Sequence, residues 1–214
     1  MAIISIATGK ARPLKDRKGN FLNSGIVKSQ TTAKINVGYN GLEGDEQADT
    51  KVHGGDFRAV SAYPVSHYKT WAREENRSDL TYGYFGDNFT IEGGEEDRVM
   101  VGDFYRYGNA LLEVTYPRIP CIKLGIRMAD PDFPNRFLSS KRTGFFLRVI
   151  EPGYVQVGDK ITQIKSGVGN FSILETLNLF YGSNPDLNRL DEISKIKSLP
   201  GEWRKKAEHL AAKK

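Results

Sequence analysis

The only cysteine of the chain, Cys121, stands in the run Pro117-Arg118-Ile119-Pro120-Cys121-Ile122-Lys123-Leu124. A thiolate is both a nucleophile and a soft metal ligand, and neighbouring cations favour it over the thiol. Arg118 and Lys123 supply such cations close by in sequence. Proline gives up its N–H and disfavours helix for the residue before it. The two prolines therefore predict that a strand over 110–115 breaks into a loop at the sulfur. The other reading of a lone cysteine is a small buried hydrophobe. From this stretch alone both readings stand.

A second concentration of reactive types lies in 41–55, with Glu43, Asp45, Glu46, Asp49 and His53 ahead of Gly54-Gly55. It is too polar and too glycine-rich for core structure, and such loops tend to carry function. Paired glycines let a backbone approach a ligand closely. Cys121 and His53 could act as nucleophile and base, although any one cysteine and one histidine would satisfy chain order. His53 or Asp45 could handle protons, and an unperturbed imidazole titrates near neutrality. A structural role for His53 in bonding its own glycine loop is equally open. No Cys-x-x-Cys occurs, and three scattered histidines do not supply a tetrahedral zinc set. Phosphate-loop, dinucleotide and nucleophile-elbow signatures are absent too. One thiolate can hold a soft metal when a cofactor supplies the remaining ligands. Such a cofactor typically carries phosphate, which suits Lys28, Arg118, Lys123 and Arg148. Asn88 and Thr90 could hydrogen-bond at a site, or serve only as turn residues.

The elements that must position these groups read as many short strands between turn signals. Runs at 3–8, 31–37, 58–63, 88–91, 99–103, 104–107, 110–115, 143–150, 154–157 and 160–165 have strand character, and 15–20 reads as a hairpin tip. Pro64 opens a helix over 65–75 with Val65, Tyr68, Trp71 and Ala72 on one stripe, which places His67 on the surface. A further helix is expected to start within Asp130-Pro131-Asp132-Phe133-Pro134 and run through Phe137-Leu138. Few helices among many strands argue a closed or nearly closed β-barrel, which also removes exposed sheet edges. Beyond 166 the pattern turns helical: Ser172 caps a helix over 173–180, Asn184-Pro185-Asp186 opens a second, and Pro200-Gly201 a third. The expected organisation is a barrel over 1–166 and a three-helix domain over 167–214. The latter is too small for independent stability, so it should pack on the barrel or on a second subunit, allowing a homodimer.

Size and charge bound the partners. With 214 residues and 27% charged side chains, a packed core is expected and global disorder is not. No run of about 18 apolar residues offers a membrane span, and the apolar start, Ala2 to Ala7, reads as a strand instead of a signal peptide. A single cysteine excludes an intrachain disulfide framework. These features together favour the cytoplasm. The net charge of +5 attracts anions without choosing between nucleic acid and a phosphorylated ligand, and a solvated helix face is the favoured account of the part carried by the C-terminal tail.

Several separate segments resemble the MOSC domain family, in its YiiM-like branch. They are 41–49, Lys51-Val52-His53-Gly54-Gly55, Tyr63-Pro64 with His67-Tyr68 and Trp71, Gly86-Asp87-Asn88-Phe89-Thr90, the Pro117–Leu124 run, 144–153 and the helical tail. They occur in family order over nearly the whole chain. The resemblance implies a mainly β, MOSC-type barrel with a small C-terminal three-helix domain that binds the molybdenum cofactor, a molybdopterin. Cys121 would ligate the metal, with basic and polar residues holding the pterin phosphate. The implied activity is reduction of N-hydroxylated compounds such as hydroxylamino-purine bases, with electrons from a separate flavin or iron–sulfur protein. A Cys121 persulfide for sulfur transfer, or a non-catalytic binder using the basic tail, are the alternatives. The chain carries Asp87 and Tyr116 where the family frequently has Glu and Gln.

Overall fold

The computed structural model describes residues 1–48 and 55–212. The strands are β1 (Ala2–Thr8), β2 (Arg12–Lys15), β3 (Phe21–Ser24), β4 (Ser29–Thr31), β5 (Ile35–Gly38), β6 (Gly41–Leu42), β7 (Val60–Pro64), β8 (Phe89–Glu92), β9 (Phe104–Tyr107), β10 (Ala110–Pro117), β11 (Phe145–Glu151), β12 (Gly153–Val155) and β13 (Ile161–Lys165). The helices are α1 (Val65–Glu74), α2 (Ile122–Arg127), α3 (Phe133–Ser139), α4 (Ile173–Tyr181), α5 (Leu187–Ser194) and α6 (Gly201–Ala211).

The main sheet runs β13-β9-β10-β11-β7-β8-β1-β4. Its pairs are antiparallel except β7 with β8, which α1 connects. The sheet curls until its ends meet. Ile161 N–H donates to Met1 O at 2.9 Å, Ile3 N–H to Asp159 O at 2.9 Å, and Gly158 N–H to Ile3 O at 2.8 Å. These bonds join the start of β13 to β1 and close the barrel, so neither strand is left with a bare edge there. The smaller sheet β12-β5-β6 and the hairpin β2-β3 attach to its rim.

Strand β10 is buried along its whole length, as befits a strand flanked by β9 and β11. Its register against β11 shifts between Val114 and Pro117. A bulge is where a sheet tolerates a proline without losing a ladder bond. The strand therefore ends at Pro117, and Arg118 to Cys121 form a short loop that runs into α2. Helix α2 was not expected from the sequence. Its six residues include Gly125, at which a Cβ would crowd Asp130 O (2.9 Å) and the Pro134 ring.

Two apolar clusters hold the fold. The larger fills the barrel and continues without a break into α4, α5 and α6 through Leu177, Phe180, Leu190, Ile193 and Trp203. The smaller packs Tyr63, Tyr68, Trp71, Phe85, Leu124, Phe133 and Phe137 between α1, α2 and α3. It carries the cysteine loop: Arg118 lies over the Phe137 ring at 5.9 Å, and Leu124 of α2 is inside the cluster.

Three local expectations need correction. His67 is buried, because its Nε2 meets Glu96 Oε2 at 2.8 Å while Glu96 Oε1 accepts the Gly144 N–H at 2.7 Å. The run 31–37 is divided between β4 and β5, which join different sheets. The run 99–103 is a turn, with Gly102 at φ +86° and Asp103 accepting N–H bonds from Met100 and Gly167.

Candidate active site

Where the barrel meets the cysteine loop there is a cavity of about 160 Å3. Its walls come from the loop after β3 (Ser24 to Lys28), from Asp45 to Ala48, from Arg58 to Ser61, from Gly86 and Asn88, and from Arg118 to Leu124. Gly86 sits at φ +88°, and a Cβ there would press on the Ile26 side chain at 2.8 Å, so glycine keeps this wall open.

Asp45 organises one side. Its Oδ1 accepts the Gly9 N–H at 2.8 Å and pairs with Lys28 Nζ, and its Oδ2 accepts Asn88 Nδ2 at 2.8 Å. The Lys28 side chain is 6% exposed and that of Asp45 10%. Burial pushes the Lys28 ammonium below its ordinary pKa, and the Asp45 charge opposes that shift. Asn88 has no spare capacity: its Oδ1 accepts from Ser61 N and Oγ, both at 3.1 Å, and its Nδ2 also donates to Ala7 O at 3.3 Å. The amide is therefore fixed in orientation.

Arg118 faces the same space from the other side. Its Nη2 donates to Phe85 O, and its backbone N–H to Gly144 O at 3.1 Å. Its Nη1 is buried and has no hydrogen-bond partner among the described residues. The residue is 9% exposed. Leaving a buried charged donor unpaired costs more than an ordinary hydrogen bond returns, so this nitrogen is poised for an acceptor that the described residues do not supply. Lys123, in the first turn of α2, also lines the cavity and has no ion-pair partner among the described residues. Lys28, Arg58, Arg118 and Lys123 thus outnumber Asp45 and Glu46 in the wall. That balance suits an anion.

The residues expected from the sequence divide clearly. Cys121, Asp45, Lys28, Asn88, Arg118 and Lys123 are brought together around this cavity. Thr90 is not: it is buried beneath the site, where its Oγ1 donates to Asp87 Oδ2 at 2.8 Å. Arg148 is not either. It pairs with Glu113 on the neighbouring strand β10 and lies over the Phe57 ring at 5.1 Å. Each stands two residues beyond a wall residue, Asn88 and Phe146, and so shares that residue's face but lies past the cavity, where Asp87 or Glu113 takes up its polar group. His53 lies outside the described residues. Arg58 was missed. It ends a single 3-10 turn (Asp56–Arg58), donates through Nε to Tyr116 Oη, and pairs through Nη2 with Glu202 at 3.0 Å. No local pattern marks it, because both partners are remote in sequence.

The site is thus a lone half-buried cysteine at the mouth of a closed mixed β-barrel, beside a cavity with a cationic wall. The chain belongs to the MOSC domain family, whose model matches residues 49–162. It is similar to the protein YiiM of Escherichia coli, 32% identical over 94% of this chain and 88% of that one. The crystal structure of YiiM from Geobacillus stearothermophilus superposes with a TM-score of 0.82 at 30% identity, covering 99% of both chains. A protein of Gibberella moniliformis named "Reductase" is 30% identical over 91% of this chain, which spans 35% of that longer protein. Among the described residues no helix is long and apolar enough to cross a membrane.

Proposed function

We propose that the chain binds the molybdenum cofactor at this cavity and reduces N-hydroxylated compounds, hydroxylamino-purine bases among them. The observation that carries the proposal is that Cys121 shares this cavity with the buried Nη1 of Arg118, which has no partner among the described residues. A thiolate is a soft ligand of the kind a dithiolene-bound metal accepts. A guanidinium with a spare donor suits a phosphate or pterin oxygen. The donor set of the cavity therefore fits the group. Cys121 would ligate the metal, and Arg118, Lys123 and Lys28 would hold the anionic part of the pterin. Asn88 and Asp45 keep Lys28 oriented toward the cavity. When bound, the group supplies two-electron chemistry at an N–O bond. The overall reaction takes an N-hydroxylamine, two electrons and two protons to an amine and water. The electrons come from a separate flavin or iron–sulfur protein, and His53 is the proposed proton donor to the departing oxygen. The tight bonding of Asp45 to three donors suits it to orientation and not to proton transfer.

Protein made in a cofactor-competent host should contain molybdenum and pterin, and should reduce hydroxylamino-purine with an artificial reductant. Cys121→Ala should lose the metal and the activity while keeping the fold. Full occupancy and activity in that variant would sink the proposal.

A further inference from the structure

Cys121 also lines a second cavity, of about 240 Å3, which adjoins the first and shares Arg58, Ile119, Pro120, Cys121 and Phe146 with it. Its character is different. Tyr116 and Phe146 bound it from the barrel, Tyr181 and Trp203 from helices α4 and α6, and Arg58 from the 3-10 turn. The rings already form a packed aromatic set: Trp203 stands 4.9 Å from Tyr116 and 6.3 Å from Tyr181, and Tyr116 5.3 Å from Phe146. The Arg58 guanidinium lies 5.4 Å from the Tyr116 ring centre and is held by Glu202 of α6. Tyr181, 37% exposed, forms the rim. The geometry points to a substrate subsite here: we infer that this aromatic cavity takes the flat conjugated ring of an N-hydroxylated substrate, while the cationic cavity takes the cofactor. The inference rests on the reading given under the proposed function.

The chemistry follows from the walls. Ring faces stack on ring faces, and electron-rich rings also sit well beside a guanidinium. A ring lying against Tyr181 within the cavity would direct an exocyclic N-hydroxyl group at its edge toward the shared wall, where Cys121 stands. An aliphatic N-hydroxyl compound gains nothing from such walls. The subsite therefore sorts substrates by flatness, and it assigns a task to the C-terminal helices. They complete the wall that recognises the ring and, through Glu202, fix Arg58 against it.

Tyr181 can be altered with little risk to the fold, because it lies at the rim; Trp203 cannot, since it joins barrel to helices. Base stacking on an aromatic side chain is worth about 5- to 150-fold in affinity. In cofactor-loaded protein, Tyr181→Ala should lower the ratio of kcat/KM for hydroxylamino-purine to that for hydroxylamine by that factor, mainly through KM, with molybdenum content unchanged. Tyr181→Phe, which keeps the ring, should retain the ratio. Adenine should quench Trp203 fluorescence saturably in the wild type, and much more weakly in Tyr181→Ala. An unchanged ratio in Tyr181→Ala, an equal loss on both substrates, or no saturable quenching would overturn the subsite. Saturable adenine binding that is weakened in Tyr181→Ala, in loaded protein that reduces neither compound, would instead overturn the proposed reaction and leave a base-binding cavity.

Discussion

Replacing Asp45 by Asn tests the most consequential electrostatic contact of the site. The carboxylate accepts from Gly9 N, Lys28 Nζ and Asn88 Nδ2. Both members of the ion pair are almost fully buried, with 6% and 10% of their side chains exposed. An amide of the same shape can still accept a hydrogen bond, but it cannot neutralise the ammonium. Removing one partner of a buried pair leaves an uncompensated charge and costs about 3–5 kcal/mol. Lys28→Met should cost less, about 1–3 kcal/mol, because Asp45 retains two N–H donors. The double variant should recover part of the loss, giving a coupling energy above about 1 kcal/mol. Solution pH adds a signature. The Lys28 pKa is depressed in the fold, so between the folded and unfolded values the unfolded chain binds more protons, and stability rises with pH. Without Asp45 the depression deepens, so the deficit of Asp45→Asn should shrink as the solution is made more alkaline. Urea unfolding, read as a midpoint shift at constant m, measures all of this. A cost below about 1 kcal/mol for Asp45→Asn, with no coupling to Lys28, would refute the reasoning by showing that solvent screens the pair.

Other outcomes follow from neighbouring features. Asp87 is buried beneath the site, and burial raises its pKa even though Tyr68 and Thr90 donate to it at 2.6 and 2.8 Å. The fold thus retains a proton that the unfolded chain releases near its ordinary value, so the stability from neutral Asp87 is present below that value and is lost as pH rises through the folded one. Asp87→Asn should gain on the wild type across this window, as urea titrations from acid to neutral pH would report. Phe137→Ala should cost about 3–5 kcal/mol, since Phe137 stacks on Tyr63 and Trp71 and underlies Arg118; it should also lower cofactor occupancy, read by metal analysis. Ser172→Ala removes the acceptor for the Glu175 N–H at 2.9 Å and should cost about 0.5–2 kcal/mol, measurable by thermal unfolding.

What the sequence disclosed depended on how local the cause was. Helices α4 and α5 could be read because caps and apolar spacing agree: Ser172 accepts from Glu175, and Asp186 from Asn188 and Arg189. The strand before Cys121 and the break at the prolines were equally legible. Helix α2 was not, because glycine at 125 argues against helix and is explained only by the approach of Asp130 and Pro134. His67 was misplaced because apolar spacing ignores polar partners, and its partner Glu96 lies 29 residues further along the chain. In the site, Cys121, Arg118 and Lys123 announce themselves by adjacency. Arg58 becomes a site residue only through Tyr116 and Glu202, and the unpaired nitrogen of Arg118 is invisible without coordinates. Thr90 and Arg148 show the reverse case, in which residues of suitable chemistry lie one step further along the strand than the cavity wall.

The seam between β1 and β13 sets an order on the birth of the molecule. The first strand is completed by bonds to Gly158, Asp159 and Ile161, so a ribosome must release most of the barrel before that seam can form. Until then the N-terminal half of β1 has an unsatisfied edge on that side, open to a neighbouring nascent chain or to a chaperone. Contacts that span so much sequence also form slowly, since loop closure precedes their reward. Synthesis rate and chaperone supply should therefore bear on how many chains close the barrel, in addition to how stable the finished barrel is.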